Sequence, residues 1–278
     1  MVVVGFAFDA LLGAGGVAVI VAGGIAVAMS IGSYLWSDRI ALAMSHARPA
    51  DPAQYQRLHN LVDGLCIGAG IPKPRVYVID DPAPNAFATG RNPEHGAIAV
   101  TTGLLDRMDR IELEGVLAHE LSHIKNYDVL VSTIAVVLAG VVALVADFAL
   151  RFLWWGGPRH RNDSSEGKGP AAILGVVGLV VIVLAPIAAQ LLQFAVSRRR
   201  ESLADFSAVG ITRYPPGLIS ALEKLRDDSS VVHSASRATA HLWIESPLDR
   251  RSGRGAWLNR MFDTHPPLEE RIEALKEL

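Results

Sequence analysis

The sequence predicts a mainly helical membrane protein that combines about three transmembrane helices with one soluble α+β domain containing a small sheet. Half of the 278 residues are hydrophobic and the mean hydropathy is +0.30, which is more apolar than an ordinary soluble domain. Three stretches without a charged residue, 10–36, 129–146 and 171–194, are each long enough to cross a bilayer. The remaining residues have the mixed composition from which a soluble core is built.

Charge and cysteine content exclude two classes of protein. The formal net charge is −2, so there is no basic footprint and we expect no nucleic-acid partner. A single cysteine, Cys66, excludes an internal disulfide framework. Because Cys66 lies among apolar neighbours, we interpret it as a buried structural thiol rather than a nucleophile.

The first apolar stretch is interpreted as a membrane anchor formed by residues 1–37. A cleaved signal peptide is the alternative interpretation of such a stretch. However, the first eight residues contain no Lys or Arg, and the apolar run is longer than the hydrophobic part of a typical signal peptide. A retained transmembrane helix is therefore favoured.

Residues 38–128 are predicted to form the first part of the soluble domain. Asp51 to about Ile67 is predicted to be a helix, and Arg75–Asp80 and Gly96–Thr101 are predicted to be strands. A possible short edge strand, Pro84–Gly90, lies between them. A further helix follows the last strand.

The second half of the chain crosses the membrane twice and then returns to the soluble domain. Transmembrane helices are predicted at 129–150 and 171–197, with a polar loop at 151–170 between them. Residues 198–278 form the second part of the soluble domain, with helices predicted from 201 to 209, after Pro215-Pro216, and from near Pro266 to the C-terminus.

The helix before the second membrane stretch carries a His-Glu-x-x-His motif, namely His119, Glu120 and His123. Asp109 and Glu112 have the spacing of a capping box, which places the start of this helix. Residues four apart share one helical face, so both imidazoles can bind one metal ion while Glu120 reaches a water beside it. This pattern predicts a zincin-like metalloprotease domain with one Zn²⁺ per chain.

A catalytic zinc site of this kind needs a third protein ligand, for which Glu201 is the best candidate. Two membrane crossings after His123 return residues 198–278 to the side of the motif. Asp205 stands four residues after Glu201, so one carboxylate can bind the metal while the other accepts the free N–H of a ligating imidazole. The alternative is that both are solvated acids that balance the arginines at 198–200.

Four motifs in this order resemble the HtpX family of bacterial integral-membrane zinc endopeptidases, which is related to CAAX prenyl endoproteases. The motifs are PNAFATG at 84–90, HELSHIKNYD at 119–128, RESLAD at 200–205 and THPPLEERI at 264–272. The resemblance implies zinc binding by His119, His123 and Glu201, a catalytic base in Glu120, and support of a ligand by Asp205. It further implies substrate binding beside Asn85 and stabilisation of the oxyanion by His265.

The resemblance also implies a cellular role and a location. It implies an endopeptidase that hydrolyses unfolded or misassembled membrane proteins in quality control or the stress response. The protein would be a multi-pass protein of the bacterial cell membrane, with the lipid bilayer around its helices and its catalytic domain facing the cytoplasm. Positive charges flank the spans on both sides, so the resemblance rather than the charge count favours the cytoplasm.

The chain departs from the family pattern at two places. Tyr127 stands where members usually have Gly after the motif Asn, which affects the exit from the motif helix. Members commonly carry two spans before the soluble domain, whereas only one long apolar stretch is evident here. An N-terminal span is therefore either missing or merged into residues 1–36.

Two other functions compete with this interpretation. An intramembrane zinc protease would carry the motif inside a span, but the charged residues on both sides of this motif would be prohibitive in hydrocarbon. A catalytically silent membrane scaffold would hold a structural zinc closed by a fourth protein ligand, and no Cys lies nearby.

Overall fold

The computed structural model describes residues 17–132, 198–228, 230, 232, 243–244 and 266–278. The chain divides into two compact units, one formed by 1–35 with 134–192 and the other by 36–133 with 193–278. The third predicted span and most of the second lie outside the described residues, as does His265.

Helix α1, Val17–Met44, covers most of the first predicted membrane stretch, 10–36, and continues through the charged residues Asp38 and Arg39 that follow it. In the described part of the chain, no helix has both the length and the apolar character required to cross a membrane. The three transmembrane helices expected from the sequence therefore stay a prediction.

A four-stranded mixed sheet forms one layer of the second unit. Its strands are β1 Arg48–Pro49, β2 Arg75–Ile79, β3 Ala86–Thr89 and β4 Ala97–Thr101, in the order β1-β2-β4-β3. Strands β2 and β4 are parallel, whereas β1 pairs with β2 and β3 pairs with β4 antiparallel. The three strands expected from the sequence are all present, and β3 is the edge strand that was predicted.

Six helices complete the described part of this unit. They are α2 Gln56–Ala69, α3 Thr102–Arg107, α4 Arg110–Lys125, α5 Arg198–Thr212, α6 Pro215–Asp227 and α7 Leu268–Lys276. The prediction that α2 begins at Asp51 was wrong, because the main-chain carbonyl of Asp51 accepts hydrogen bonds from the amides of Gln54 and Tyr55 and closes a separate turn. The helix begins only after that turn.

Helix α4 begins at the predicted capping box. The Asp109 carboxylate accepts hydrogen bonds from the amides of Ile111 and Glu112, and the Glu112 carboxylate accepts one from the Asp109 amide. Glu112 also accepts hydrogen bonds from the Ser220 hydroxyl and the Lys224 ammonium of α6, each at 2.6 Å. One buried carboxylate therefore caps α4 and attaches it to α6.

Helix α4 lies at the centre of the unit, where it packs against α2, α5, α6 and strand β3. Its crossing with α6 is close at Gly115, where a Cβ atom would lie 2.8 Å from the main chain of Leu218. Close packing on several sides leaves most of α4 buried. A buried helix fixes its side chains in single orientations, which suits it to carry a metal site.

Cys66 is buried in the same core, on α2. Burial, together with the nearby Asp63 carboxylate, raises the pKa of Cys66 to about 11. The thiol is therefore protonated at neutral pH, as expected of a structural cysteine rather than a nucleophile.

Candidate metal centre

Helix α4 places His119 and His123 one turn apart on the same face. His119 is fully buried, whereas the His123 side chain is 15% exposed. The cluster is therefore less deeply buried at His123 than at His119.

The predicted third ligand, Glu201, completes the cluster from α5. The two Nε2 atoms of His119 and His123 lie 3.1 Å apart. One oxygen of Glu201 lies 3.6 Å from the Nε2 of His119, and the other lies 3.6 Å from the Nε2 of His123. The structure thus brings together three ligand atoms that the sequence separates by two hydrophobic stretches.

These separations fit a zinc ion. Zinc–ligand bonds of about 2.0–2.1 Å in tetrahedral geometry place neighbouring ligand atoms about 3.3 Å apart. The two imidazole nitrogens, 3.1 Å apart, are close to that value, and each of them lies 3.6 Å from a different oxygen of Glu201. One ligand atom from each of the three residues lies within 4.8 Å of the other two. Two imidazoles and one carboxylate are also the ligand set that catalytic zinc sites use while leaving one position for substrate or water.

Asp205, four residues after Glu201, faces the other nitrogen of His119. The Nδ1–H of His119 donates to Oδ1 of Asp205 at 2.9 Å, which fixes the tautomer whose Nε2 carries the lone pair. Burial would raise the pKa of Asp205, but Arg271 and His119 outweigh it and lower this pKa to about 2. Asp205 is therefore a carboxylate at every physiological pH.

The cluster is built to hold positive charge. Burial and the neighbouring Arg271 oppose protonation of the His119 imidazole, whereas Asp205 and Glu201 favour it and raise the pKa of His119 to about 9. At neutral pH, with no metal bound, the His119 imidazole is therefore expected to be protonated on both nitrogens and to carry a positive charge. A metal cation at Nε2 satisfies the same two carboxylates in place of that proton.

Arg271 of α7 is a residue of this site that the sequence analysis did not assign. Its Nε and Nη2 donate to the two oxygens of Asp205, at 2.9 and 2.7 Å, and Nη2 lies 3.3 Å from Nδ1 of His119. Arg271 is 3% exposed. In the sequence, only the place of Arg271 in the 264–272 motif indicates that it has a role. The residues around it do not show that its side chain contacts α5.

His123 has a matching partner that the sequence analysis also did not assign. Its Nδ1–H donates to Oδ2 of Asp128 at 3.0 Å, and Nη1 of Arg200 donates to Oδ1 of Asp128 at 2.6 Å. Asp128 lies in the 119–128 motif, three residues past the end of α4. Both imidazoles of the predicted metal site therefore donate to a carboxylate that an arginine also holds.

Glu120 lies on α4 next to His119 and is 1% exposed. Its carboxylate contributes to the electrostatic stabilisation of the Arg271 cation, so it belongs to the same buried network. A carboxylate shielded from bulk water beside the ligand cluster is in the place that the motif predicts for a general base.

Asn85 lies at the start of β3 and makes contacts typical of a turn. Its side-chain oxygen accepts a hydrogen bond from the main-chain N–H of Ala86 at 3.0 Å. The main-chain N–H of Asn85 donates to the Thr101 hydroxyl at 2.9 Å. Contact of Asn85 with substrate stays a prediction. His265, the other residue expected from the resemblance alone, lies outside the described residues.

The outer edge of β3 already has one partner within the chain. The Ile244 amide donates to the Ala86 carbonyl at 2.9 Å, and Trp243 pairs with Phe87 in an isolated antiparallel bridge. The Ile244 carbonyl accepts from Nη1 of Arg271 at 3.3 Å. Ile244 therefore connects the predicted substrate strand to the arginine beside His119.

Comparison with known proteins finds relatives over most of the chain. The model of "Peptidase family M48" matches residues 52–278. A "Protease HtpX homolog" of Caldanaerobacter subterraneus subsp. tengcongensis is 46% identical over 247 residues, covering 88% of this chain and 80% of the relative. One of Dictyoglomus thermophilum is 48% identical over 244 residues, covering 88% and 76%.

A solved structure is similar in fold. The crystal structure of S. mikatae Ste24p superposes with a TM-score of 0.51 at 18% identity, covering 92% of this chain. This chain spans 57% of the Ste24p chain.

Proposed function

The chain belongs to peptidase family M48 and is a membrane-associated zinc metalloprotease, and from this premise we propose that it is an endopeptidase of unfolded or misassembled membrane proteins. One observation carries the proposal, namely that ligand atoms of His119, His123 and Glu201 converge to within 4.8 Å of one another. Glu120 lies on the helix that carries both imidazoles. We further propose a single Zn²⁺ per chain at this cluster. When bound, the zinc would act as a Lewis acid toward the scissile carbonyl and lower the pKa of water.

Glu120 supplies the proton transfers of the proposed reaction. Its carboxylate takes a proton from the attacking water, which becomes the nucleophile at the carbonyl carbon of the scissile peptide bond. The same carboxyl group then gives that proton to the leaving amine nitrogen as the carbon–nitrogen bond breaks. The buried position of Glu120 keeps bulk water from exchanging with the proton during these two steps.

Substrate is proposed to bind as an extended strand beside residues 85–89, because β3 is an edge strand that packs against α4. Main-chain pairing gives affinity with little sequence preference, which suits a protease of unfolded chains. A substrate that pairs at Ala86 must replace the hydrogen bond from Ile244. Asn85 as a substrate contact and His265 as a donor to the oxyanion complete the proposal.

The cellular setting is also a proposal. We propose a multi-pass protein of the bacterial cell membrane, with an anchor at 1–37, transmembrane helices at 129–150 and 171–197, and a loop at 151–170. Residues 38–128 and 198–278 would form the catalytic domain on the cytoplasmic side. Quality control or a stress response is the role that a protease with such broad recognition would serve.

The proposal is tested with the full chain purified in detergent under chelator. Cleavage of an unfolded protein is followed before and after addition of zinc, for wild type and for Glu120→Gln in parallel. Because the variant keeps all three metal ligands and loses the base, we expect zinc to restore cleavage to the wild type alone. Glu114→Gln, on the same helix, is the matched control and is expected to behave as wild type.

The other outcomes contradict the proposal in different ways. Zinc binding by wild type without cleavage of any unfolded protein would favour the catalytically silent scaffold. Equal cleavage by wild type and Glu120→Gln would place the activity at another site or in a contaminant.

A further inference from the structure

His123 is held by a second carboxylate and arginine pair, Asp128 and Arg200, which is separate from the pair of Asp205 and Arg271. We propose that Asp128 and Arg200 are positioning residues that aim Nε2 of His123 at the metal and set the place of Glu201. This inference rests on the proposed zinc site. It adds two residues that touch neither metal nor substrate and act through His123.

The first support is the direction of the hydrogen bonds. The Nδ1–H of His123 donates to Asp128 at 3.0 Å, so the lone pair of the imidazole is on Nε2. That atom is the one that faces His119 Nε2 and the Glu201 carboxylate. Losing the acceptor would free the ring to rotate and to change its tautomer.

The second support is the cost of placing Asp128 there. Asp128 is 5% exposed, and a buried carboxylate requires a compensating charge or several donors. Arg200 supplies the charge, with Nη1 at 2.6 Å from the second oxygen of Asp128. Arg200 therefore stabilises the Asp128 carboxylate, which accepts the hydrogen bond from His123.

The third support is the strained turn that leads to Asp128. Helix α4 ends at Lys125, and Tyr127 then adopts a left-handed conformation with φ of 60°. This conformation is unfavourable for a residue with a Cβ atom. The turn places the next residue, Asp128, within hydrogen-bond distance of His123, one turn back along α4.

Arg200 also links the two helices that supply the ligands. It lies on α5 immediately before Glu201, and its partner Asp128 lies just past the end of α4. The same ion pair therefore orients His123 and fixes the main chain beside the third ligand. It joins the two parts of the catalytic unit across the 72 residues that separate Asp128 from Arg200.

A purely structural ion pair is the alternative. In that case loss of the pair would lower the stability of the metal-free fold but leave the affinity and geometry of the bound metal unchanged. The test must therefore measure the metal itself. Adjacent Arg199 is exposed and offers a matched control for the loss of one positive charge at this place.

The experiment compares wild type, Arg200→Gln, Asp128→Asn, the double variant and Arg199→Gln, each as the full chain in detergent. Zinc affinity is measured by competition with a chromophoric chelator, and the visible absorption of bound Co²⁺ reports the coordination geometry. We expect roughly a 10- to 100-fold loss of zinc affinity for each single variant and a shifted Co²⁺ spectrum. The double variant should lose no more zinc affinity than the single variant that binds zinc less tightly. Arg199→Gln should have the zinc affinity of wild type.

Wild-type zinc affinity and an unshifted Co²⁺ spectrum in Arg200→Gln would overturn the inference, as would strictly additive losses in the double variant. If thermal unfolding shows that metal-free Arg200→Gln does not fold, Asp128→Asn is the variant that tests the inference. This substitution keeps the shape of the Asp128 side chain and removes its charge. Wild-type behaviour of that variant would overturn the inference. A wild-type chain that binds no zinc overturns the proposed function itself, which separates the two failures.

Discussion

Arg271 forms two parallel hydrogen bonds with Asp205, from Nε to one carboxylate oxygen at 2.9 Å and from Nη2 to the other at 2.7 Å. Both side chains are buried. Paired in this way, Asp205 remains an anion inside the protein and accepts the Nδ1–H of His119. The ion pair therefore supports both the packing of α7 against α5 and the tautomer of His119, a proposed metal ligand.

The first prediction removes the cation of this pair. Arg271→Met removes the guanidinium that holds both oxygens of buried Asp205 and leaves the His119 imidazole as the cationic neighbour of that carboxylate. The expected loss in the free energy of unfolding is up to about 3–5 kcal/mol. Chemical denaturation of the metal-free chain in detergent measures it. Lys276→Met, on the same helix, removes two exposed ion pairs, with Glu273 and with Glu223 of α6, and should cost about 1 kcal/mol or less. Equal effects of the two variants would contradict the role assigned to Arg271.

The second prediction separates the role proposed for Glu201, a metal ligand, from the role proposed for Glu120, a catalytic base. A ligand that binds only the folded state raises stability by about 2.7 kcal/mol at a concentration of 100 times its dissociation constant. Zinc should therefore raise the melting temperature of wild type and of Glu120→Gln. The same addition should produce little or no rise in Glu201→Gln, because the site keeps only two imidazoles. A full zinc-induced rise in Glu201→Gln would remove Glu201 from the ligand set.

The third prediction concerns the acid sensitivity of Glu112. Burial alone would raise the pKa of Glu112, but Lys224, Ser220 and the Asp109 amide lower it below its ordinary value of 4.5. A depressed folded-state pKa adds stability above the ordinary value, and that stability is lost as pH falls through the folded value. Wild type should therefore lose stability more steeply than Glu112→Gln below about pH 4.5.

Unfolding at several pH values, from neutral to strongly acidic, measures this difference. Glu112→Gln should be less stable than wild type at neutral pH, and the two should converge in acid. Glu114→Gln, on the same helix, serves as the control for the loss of one carboxylate from α4. Parallel curves for wild type and Glu112→Gln would show that the pKa of Glu112 is not lowered in the folded protein.

The same residues show which parts of this structure the sequence could predict. Asp109 and Glu112 are three residues apart, so the start of α4 follows from a local pattern. The spacing of His119 and His123 is likewise local. Arg271 and Asp205 are 66 residues apart, and their pairing depends on how α7 closes on α5. No periodicity or helix cap in the sequence indicates that these two residues meet. The arginines that support the two imidazoles could therefore be identified only from the structure.

Helix α2 shows a different limit. Its apolar pattern was correctly predicted as a helix, but the start was placed at Asp51, where a polar turn precedes Gln56. Asp51 is a good helix-capping residue, and the sequence does not show that its groups instead close the turn through Tyr55. Boundaries that depend on competition between two local hydrogen-bond patterns therefore need the structure.

The last prediction tests the strain at the exit of α4. Tyr127 has φ of 60° and is 48% exposed, so its replacement by Gly relieves roughly 1–2 kcal/mol of steric cost and loses little packing. The greater entropy of Gly in the unfolded chain opposes this by about 0.5–1 kcal/mol. Tyr127→Gly should thus be as stable as wild type or more stable by up to about 1.5 kcal/mol.

Tyr127→Val is the matched control, because a β-branched side chain is the least tolerant of this conformation. It should destabilise the chain by about 1 kcal/mol or more, measured by thermal unfolding in detergent. Zinc affinity should stay unchanged in Tyr127→Gly, since the turn still carries Asp128 to His123. If Val were tolerated as well as Gly, the left-handed turn at Tyr127 would not be what positions Asp128, and another path of the chain would have to bring the two side chains together.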